Sequence, residues 1–166
     1  MPDYLSLRER IERAVLAIID GITGIGTVER WSMLGQSGDN LSAVVYLDDT
    51  VASNAAQGST ATTTVTIPCR IELLLAHGRN ESQPSSQIAN AWEAKIKSAM
   101  LADTELTEAD TGEQLAVDVT WTGTSAPIPI ENQPQFFVVV NFAIIADEYR
   151  SNPYTAPGIT AQEEGS

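Results

Sequence analysis

Along the first twenty-odd residues, Leu7, Ile11, Val15, Ile18, Ile19 and Ile22 recur at helical spacing, while Arg8, Arg10, Glu12 and Arg13 lie elsewhere around the turn. That period predicts an amphipathic helix with one buried stripe. Ser6 followed by Glu9 is a capping box, and Gly21 and Gly24 are stop signals, so the helix is expected over 6–20. Two runs rich in β-formers follow, at 25–33 and 41–47, separated by the turn-forming GQSGDN. From 48 to 62 the chain is Ala, Ser, Thr, Asn and Gly with almost no large apolar residue, which predicts a long flexible loop. The alternation then becomes regular: Val65, Ile67, Cys69, Ile71, Leu73 and Leu75 share one parity, and Thr64, Thr66, Arg70 and Glu72 the other. This predicts a strand with one buried face, in which Pro68, lacking an N–H, marks an edge or a bulge.

A second helix is expected over 86–101, with Ile88, Trp92, Ile96 and Met100 at every fourth position. An acidic loop, 103–114, precedes a strand in which Leu115, Val117, Val119 and Trp121 alternate with polar or small residues. The Pro-rich APIPIENQP leads into a last strand, and 152–166 reads as an extended tail. The order is α-β-β-β-α-β-β. Strands joined by short connections, with only two helices, predict an α+β fold: a mainly antiparallel sheet with two helices packed on one face. One domain over 1–150 and a C-terminal tail over 151–166 follow from the same reading.

The last strand departs from simple alternation. Phe136, Val138, Val140, Phe142 and Ile144 form one face, but Phe137, Val139, Ala143 and Ile145 make the other apolar as well, with Asn141 as its polar interruption. Antiparallel sheets commonly keep one face wet, and two helices cover one side of a small sheet. The second face is therefore covered either by more of the same chain or by a neighbouring subunit.

Composition narrows the function classes. Nine Lys and Arg against 22 Asp and Glu give a net charge of −13, a surface that repels nucleic-acid phosphate and anionic lipid. From Ser98 onward eleven acids face a single cation, Arg150, so the acidity belongs mostly to the second half. One cysteine, Cys69, excludes an internal disulfide and fits a reducing compartment. The start, MPDYLSLRER, lacks the basic-then-apolar pattern of a signal peptide. The longest apolar run, 136–146, is shorter than the ~18 residues of a membrane helix. These features predict a soluble cytoplasmic product.

Chemistry is hard to place. With His77 the only histidine, a multi-histidine metal site is excluded within one chain. Cys69 and His77 lie eight residues apart, roughly 26 Å along a strand, too far for a nucleophile and base pair. If Asp103 opened a calcium loop, its sixth and twelfth positions would be Gly and Glu, but they are Glu108 and Gln114; the acidic loop reads as a solvated face. GITGIG follows a helix instead of opening one, with no Lys to complete a phosphate loop. Arg8, Arg10 and Arg13 are interleaved with Glu9 and Glu12 and read as a solvated face. No catalytic residues, metal ligands or cofactor site emerge.

The order of elements, with LRERIERAVLAIIDGI running into IGTVERW, IELLLAHG before SSQIANAWEAKIKSAM, LADTEL after that helix, and a last strand passing into ADEYRSNPYTAP, resembles the tail terminator (tail completion) proteins of long-tailed bacteriophages and related neck and minor tail proteins. The resemblance spans about 5–157. It implies a non-enzymatic virion protein, assembled in the host cytoplasm, that caps the tail tube and halts its polymerisation. The implied partners are copies of itself in a hexameric ring, the tail tube protein and the head–tail connector or neck protein. On the same resemblance DNA is expected to pass through the lumen without specific binding, and neither a membrane nor a cofactor is implied. Candidate subunit or tube contacts are Arg30, Trp31, Asn54, Tyr149, Arg150 and Tyr154, to which the second face of the last strand adds Phe137 and Val139. Another neck or head-completion protein is the nearest alternative, and a monomeric acidic binding module or small enzyme is the reading from a different class.

Overall fold

A computed structural model of the chain describes residues 5–30, 42–52, 62–76, 85–132 and 134–149. Helix α1 (Leu7–Asp20) begins as the capping box requires, with the Ser6 hydroxyl accepting from the Glu9 N–H at 3.1 Å. It ends at Gly21, still in the right-handed region, and the chain reverses at Gly24, whose φ is +101°. A Cβ there would meet the ring of Trp92 at 3.0 Å, so both the backbone and the close approach require glycine.

The strands are β1 (Thr27–Arg30), β2 (Ser42–Leu47), β3 (Val51–Ala52), β4 (Thr62–Ala76), β5 (Asp118–Thr124), β6 (Ile128–Pro129) and β7 (Gln135–Tyr149), and helix α2 (Ser85–Leu101) follows β4. One sheet of order β1-β2-β4-β7-β5 joins them, with β3 beside β4 and β6 beside β7. Every pair is antiparallel except β1 with β2, which run parallel. The α+β fold, mainly antiparallel with its helices on one face, is as the sequence predicts. β1 and β2 run parallel and so do not form a hairpin with each other; 31–41, with GQSGDN, lie outside the described residues.

β4 and β7, fifteen residues each, pair along their whole length and form the spine of the sheet. Their register places Ile67 opposite Ile144, Cys69 opposite Phe142, Ile71 opposite Val140 and Leu73 opposite Val138. These residues are buried, together with Ala43 and Val45 of β2, under Leu7, Ile11, Val15 and Ile19 of α1 and Ile96 and Met100 of α2. Each large side chain fully buried there contributes roughly 1.5 to 3 kcal/mol. Ile88 and Trp92, the rest of the α2 stripe, are half-buried against the same core.

Three expectations change in detail. The 48–62 loop is not wholly unstructured, because Val51 and Ala52 pair with Thr66 and Val65 as β3; 53–61 lie outside the described residues. Pro68 does not sit at an edge, since β4 is central, but it does face a bulge: the registers of β2 and β3 on β4 differ by one residue, so 48–50 lie opposite 67–68. Its carbonyl accepts from the Asp48 N–H at 2.8 Å, which turns its own nitrogen toward the bulged residues between β2 and β3, so the missing donor costs only the return bond to Asp48. The strand expected from Leu115 starts only at Asp118: Leu115 and Ala116 are both buried, whereas Val117 is 55 % exposed. Both buried residues are held by N–H bonds to the Glu105 carbonyl, a loop contact that overrides the alternation.

Candidate functional site

The face of the sheet turned away from the helices carries Val44 and Tyr46 of β2, Pro68, Arg70, Glu72 and Leu74 of β4, and Phe137, Val139, Asn141, Ala143 and Ile145 of β7. Among the described residues no helix or second sheet lies over it, and all of these side chains keep partial exposure. They shield one another across the strands: Phe137 lies between Leu74 and Ile128, and Val139 beside Glu72. One end, around Val44, Leu74, Phe137, Val139 and Ile128, is mainly apolar, with Glu72 between Val44 and Val139 as its charge. The other end is polar, closed by the Thr64 hydroxyl on the Asp147 carboxylate at 2.7 Å. The apolar second face of the last strand is therefore real, and within the described chain it is uncovered.

Of the predicted contact residues, the structure brings Phe137 and Val139 together on this face, two positions apart on β7. Arg30 ends β1 opposite Val45, and Tyr149 ends β7 opposite Thr62; their side chains lie outside the described residues. Trp31, Asn54, Arg150 and Tyr154 lie outside them altogether, as does His77.

Sequence reading missed a second feature, at the edge of β2 past the end of β1. The guanidinium of Arg70 grips Asp48 with two bonds, at 2.8 and 3.1 Å, touches Glu72 at 3.4 Å, and lies over the Tyr46 ring at 4.6 Å from its centre. From α1, Arg8 reaches the same place. It donates to the Asp48 carbonyl at 2.8 Å, the Leu47 carbonyl at 2.5 Å and the Thr50 hydroxyl at 2.7 Å. In an antiparallel pair the Asp48 carbonyl takes its bond from the N–H of the opposite residue. That residue is Pro68, which has none, and Arg8 supplies the donor instead. Arg8, Glu12, Tyr46, Leu47, Asp48 and Arg70 together line a cleft of about 470 Å³. The available signal was Pro68 itself, a missing donor inside an otherwise regular strand.

Arg10 corrects the solvated-face reading of α1. Its side chain is only 11 % exposed and makes a two-point bond with Glu108, at 2.9 Å each, and a further bond with Glu113. The acidic loop is thus tied to the helix: Thr107 pairs with Gln114, and Asp103 accepts from the Thr107 N–H at 2.7 Å. Hydrogen bonding by Arg10 holds the Glu108 carboxyl below the usual carboxylate range. Arg13 alone matches the expectation, paired with Glu9 at 3.2 Å on the surface. Burial pushes the Cys69 thiol up to about 12, the state of an inert core residue. No group of acids, His or Cys suited to a metal ion occurs among the described residues, and none of their helices is long and apolar enough to cross a membrane.

No family model and no curated protein matches the chain. Among solved structures it is similar to a chain of the virion of a native gene transfer agent particle, with a TM-score of 0.42 and 13 % identity over 87 % of this chain and 94 % of that one. At that score the likeness carries no statement about the role of this chain.

Proposed function

We propose that this chain is a virion assembly protein of the tail-terminator type: copies form a ring, six in the full assembly, that caps the tail tube, stops its polymerisation and presents its other side to the head–tail connector. One observation carries this reading. The far face of the sheet combines an apolar end, Val44, Leu74, Phe137, Val139 and Ile128, with no cover from the described chain, the arrangement of a surface completed by a neighbour. Phe137 and Val139 are its central contacts. Arg30, Trp31, Asn54, Tyr149, Arg150 and Tyr154 are assigned to subunit or tube contacts on the sequence resemblance. A net charge of −13 suits a lumen through which DNA slides, since a negative wall does not hold phosphate.

The test is a capping assay, in which purified protein is added to tail tube protein polymerising in vitro. Elongation stops at substoichiometric addition if the reading holds, and Val139→Asp abolishes the arrest while leaving the fold intact. Tubes that lengthen at the same rate with and without the protein contradict it.

A further inference from the structure

The cleft at the edge of β2, open past the end of β1 among the described residues, holds more guanidinium donors than the Asp48–Pro68 pairing uses. Arg8 and Arg70 both hold Asp48, one through its backbone carbonyl and the other through its carboxylate, so two guanidiniums converge on one residue. Arg70 is neutralised by Asp48 and Glu72. Arg8 is half-buried, and its three acceptors, two carbonyls and a hydroxyl, carry no formal charge. Of the five N–H donors of a guanidinium, Arg8 uses both on Nη1 and one on Nη2, leaving Nε–H and one Nη2–H unbonded among the described residues. Arg70 keeps one donor on each Nη.

The geometry points to a carboxylate-binding site in this cleft, with Arg8 as the principal ligand-holding group and Arg70 as its partner. A planar guanidinium fork matches a carboxylate, and Arg8, which has no carboxylate among its own acceptors, keeps two N–H donors for one. Phosphate fits less well, because Glu12, Asp48 and Glu72 already crowd the approach of a dianion, and a chain of net charge −13 disfavours a polyanion such as nucleic acid. The aromatic ring of Tyr46 lines the same cleft and gives the carbon chain behind the carboxylate a surface to lie on. The carboxylate belongs either to an acidic side chain of a second copy or to a small free acid. This inference stands independently of the tail-terminator reading.

The experiment titrates the full chain with N-acetyl-glutamyl amide, a side-chain carboxylate probe, while the Nε–H resonances of Arg8 and Arg70 are followed by NMR. Both resonances shift saturably. Arg8→Lys weakens the affinity about tenfold by removing the fork, and Glu12→Gln, which leaves the Arg8 bonds in place, strengthens it about two- to fivefold by removing a like charge. Arg13→Gln, on the exposed side of the same helix, changes nothing. If the two resonances also move as the protein alone is concentrated, and the probe reverses that movement, the carboxylate comes from a second copy; if concentration has no effect, it comes from a free acid. The inference is overturned if no saturation appears up to about 100 mM probe, if Glu12→Gln leaves the affinity unchanged, or if inorganic phosphate binds more tightly than the carboxylate.

Discussion

Two arginines two residues apart on the first helix, reaching opposite ways, carry most of what single residues decide here. Arg10 closes the acidic loop onto the helix, and Arg10→Gln is expected to cost about 1 to 2 kcal/mol, less than for a fully buried pair because Glu108 and Glu113 remain partly exposed. Thermal unfolding measures the loss, and amide exchange in 103–116 localises it. The pH dependence has a definite sign. The folded Glu108 carboxyl is held below its unfolded value, so its contribution is full above about pH 4.3 and disappears as pH falls through the lower folded value. The stability gap between the wild type and Glu108→Gln therefore closes on acidification. Arg8 stands in for the N–H that Pro68 lacks. Arg8→Gln is expected to cost about 1 to 2 kcal/mol, and less in a Pro68→Ala background, where residue 68 regains its own donor; a double-mutant cycle in urea reads the coupling. Cys69 should resist alkylating reagents until the chain unfolds, since burial keeps it a neutral thiol.

At the level of elements, the two faces of the sheet predict opposite responses to substitution. Ile71→Ala or Phe142→Ala, under the helices, should cost about 3 to 5 kcal/mol by leaving a cavity. Val139→Asp, on the uncovered face of the same sheet, should cost an isolated chain less, about 1 to 2 kcal/mol, mostly from the like charge of Glu72 opposite it, as chemical denaturation would show. Both helices, the β4 strand and the inward parity of β7 were legible in the sequence, because a capping box and strict periods of 3.6 and 2 are local signals. The parallel β1–β2 pair was not, since pairing direction depends on where a crossover returns. The burial of Ala116 beside an exposed Val117 was not, since it follows from a loop contact to Glu105. The Arg8–Asp48–Arg70 cleft needed the β2–β4 register, which places Asp48 beside Pro68 and Arg70. Residues far apart in sequence meet there, and a single sequence carries no record of the meeting.

For the whole molecule, the question raised by β7 is what lies over its second face. A chain whose charge is −13 does not associate with itself through its acidic surfaces. The neighbour is therefore expected at the mainly apolar end, around Phe137, Val139 and Leu74, where Glu72 is the charge that β4 presents. The measurement that tests this most directly is the mass of the purified chain in solution across a wide concentration range, by light scattering after size exclusion. The account predicts a discrete oligomer of about six times the 17.8 kDa chain, reduced by Val139→Asp to a folded monomer. A wild-type chain that stays at 17.8 kDa at every concentration would contradict it.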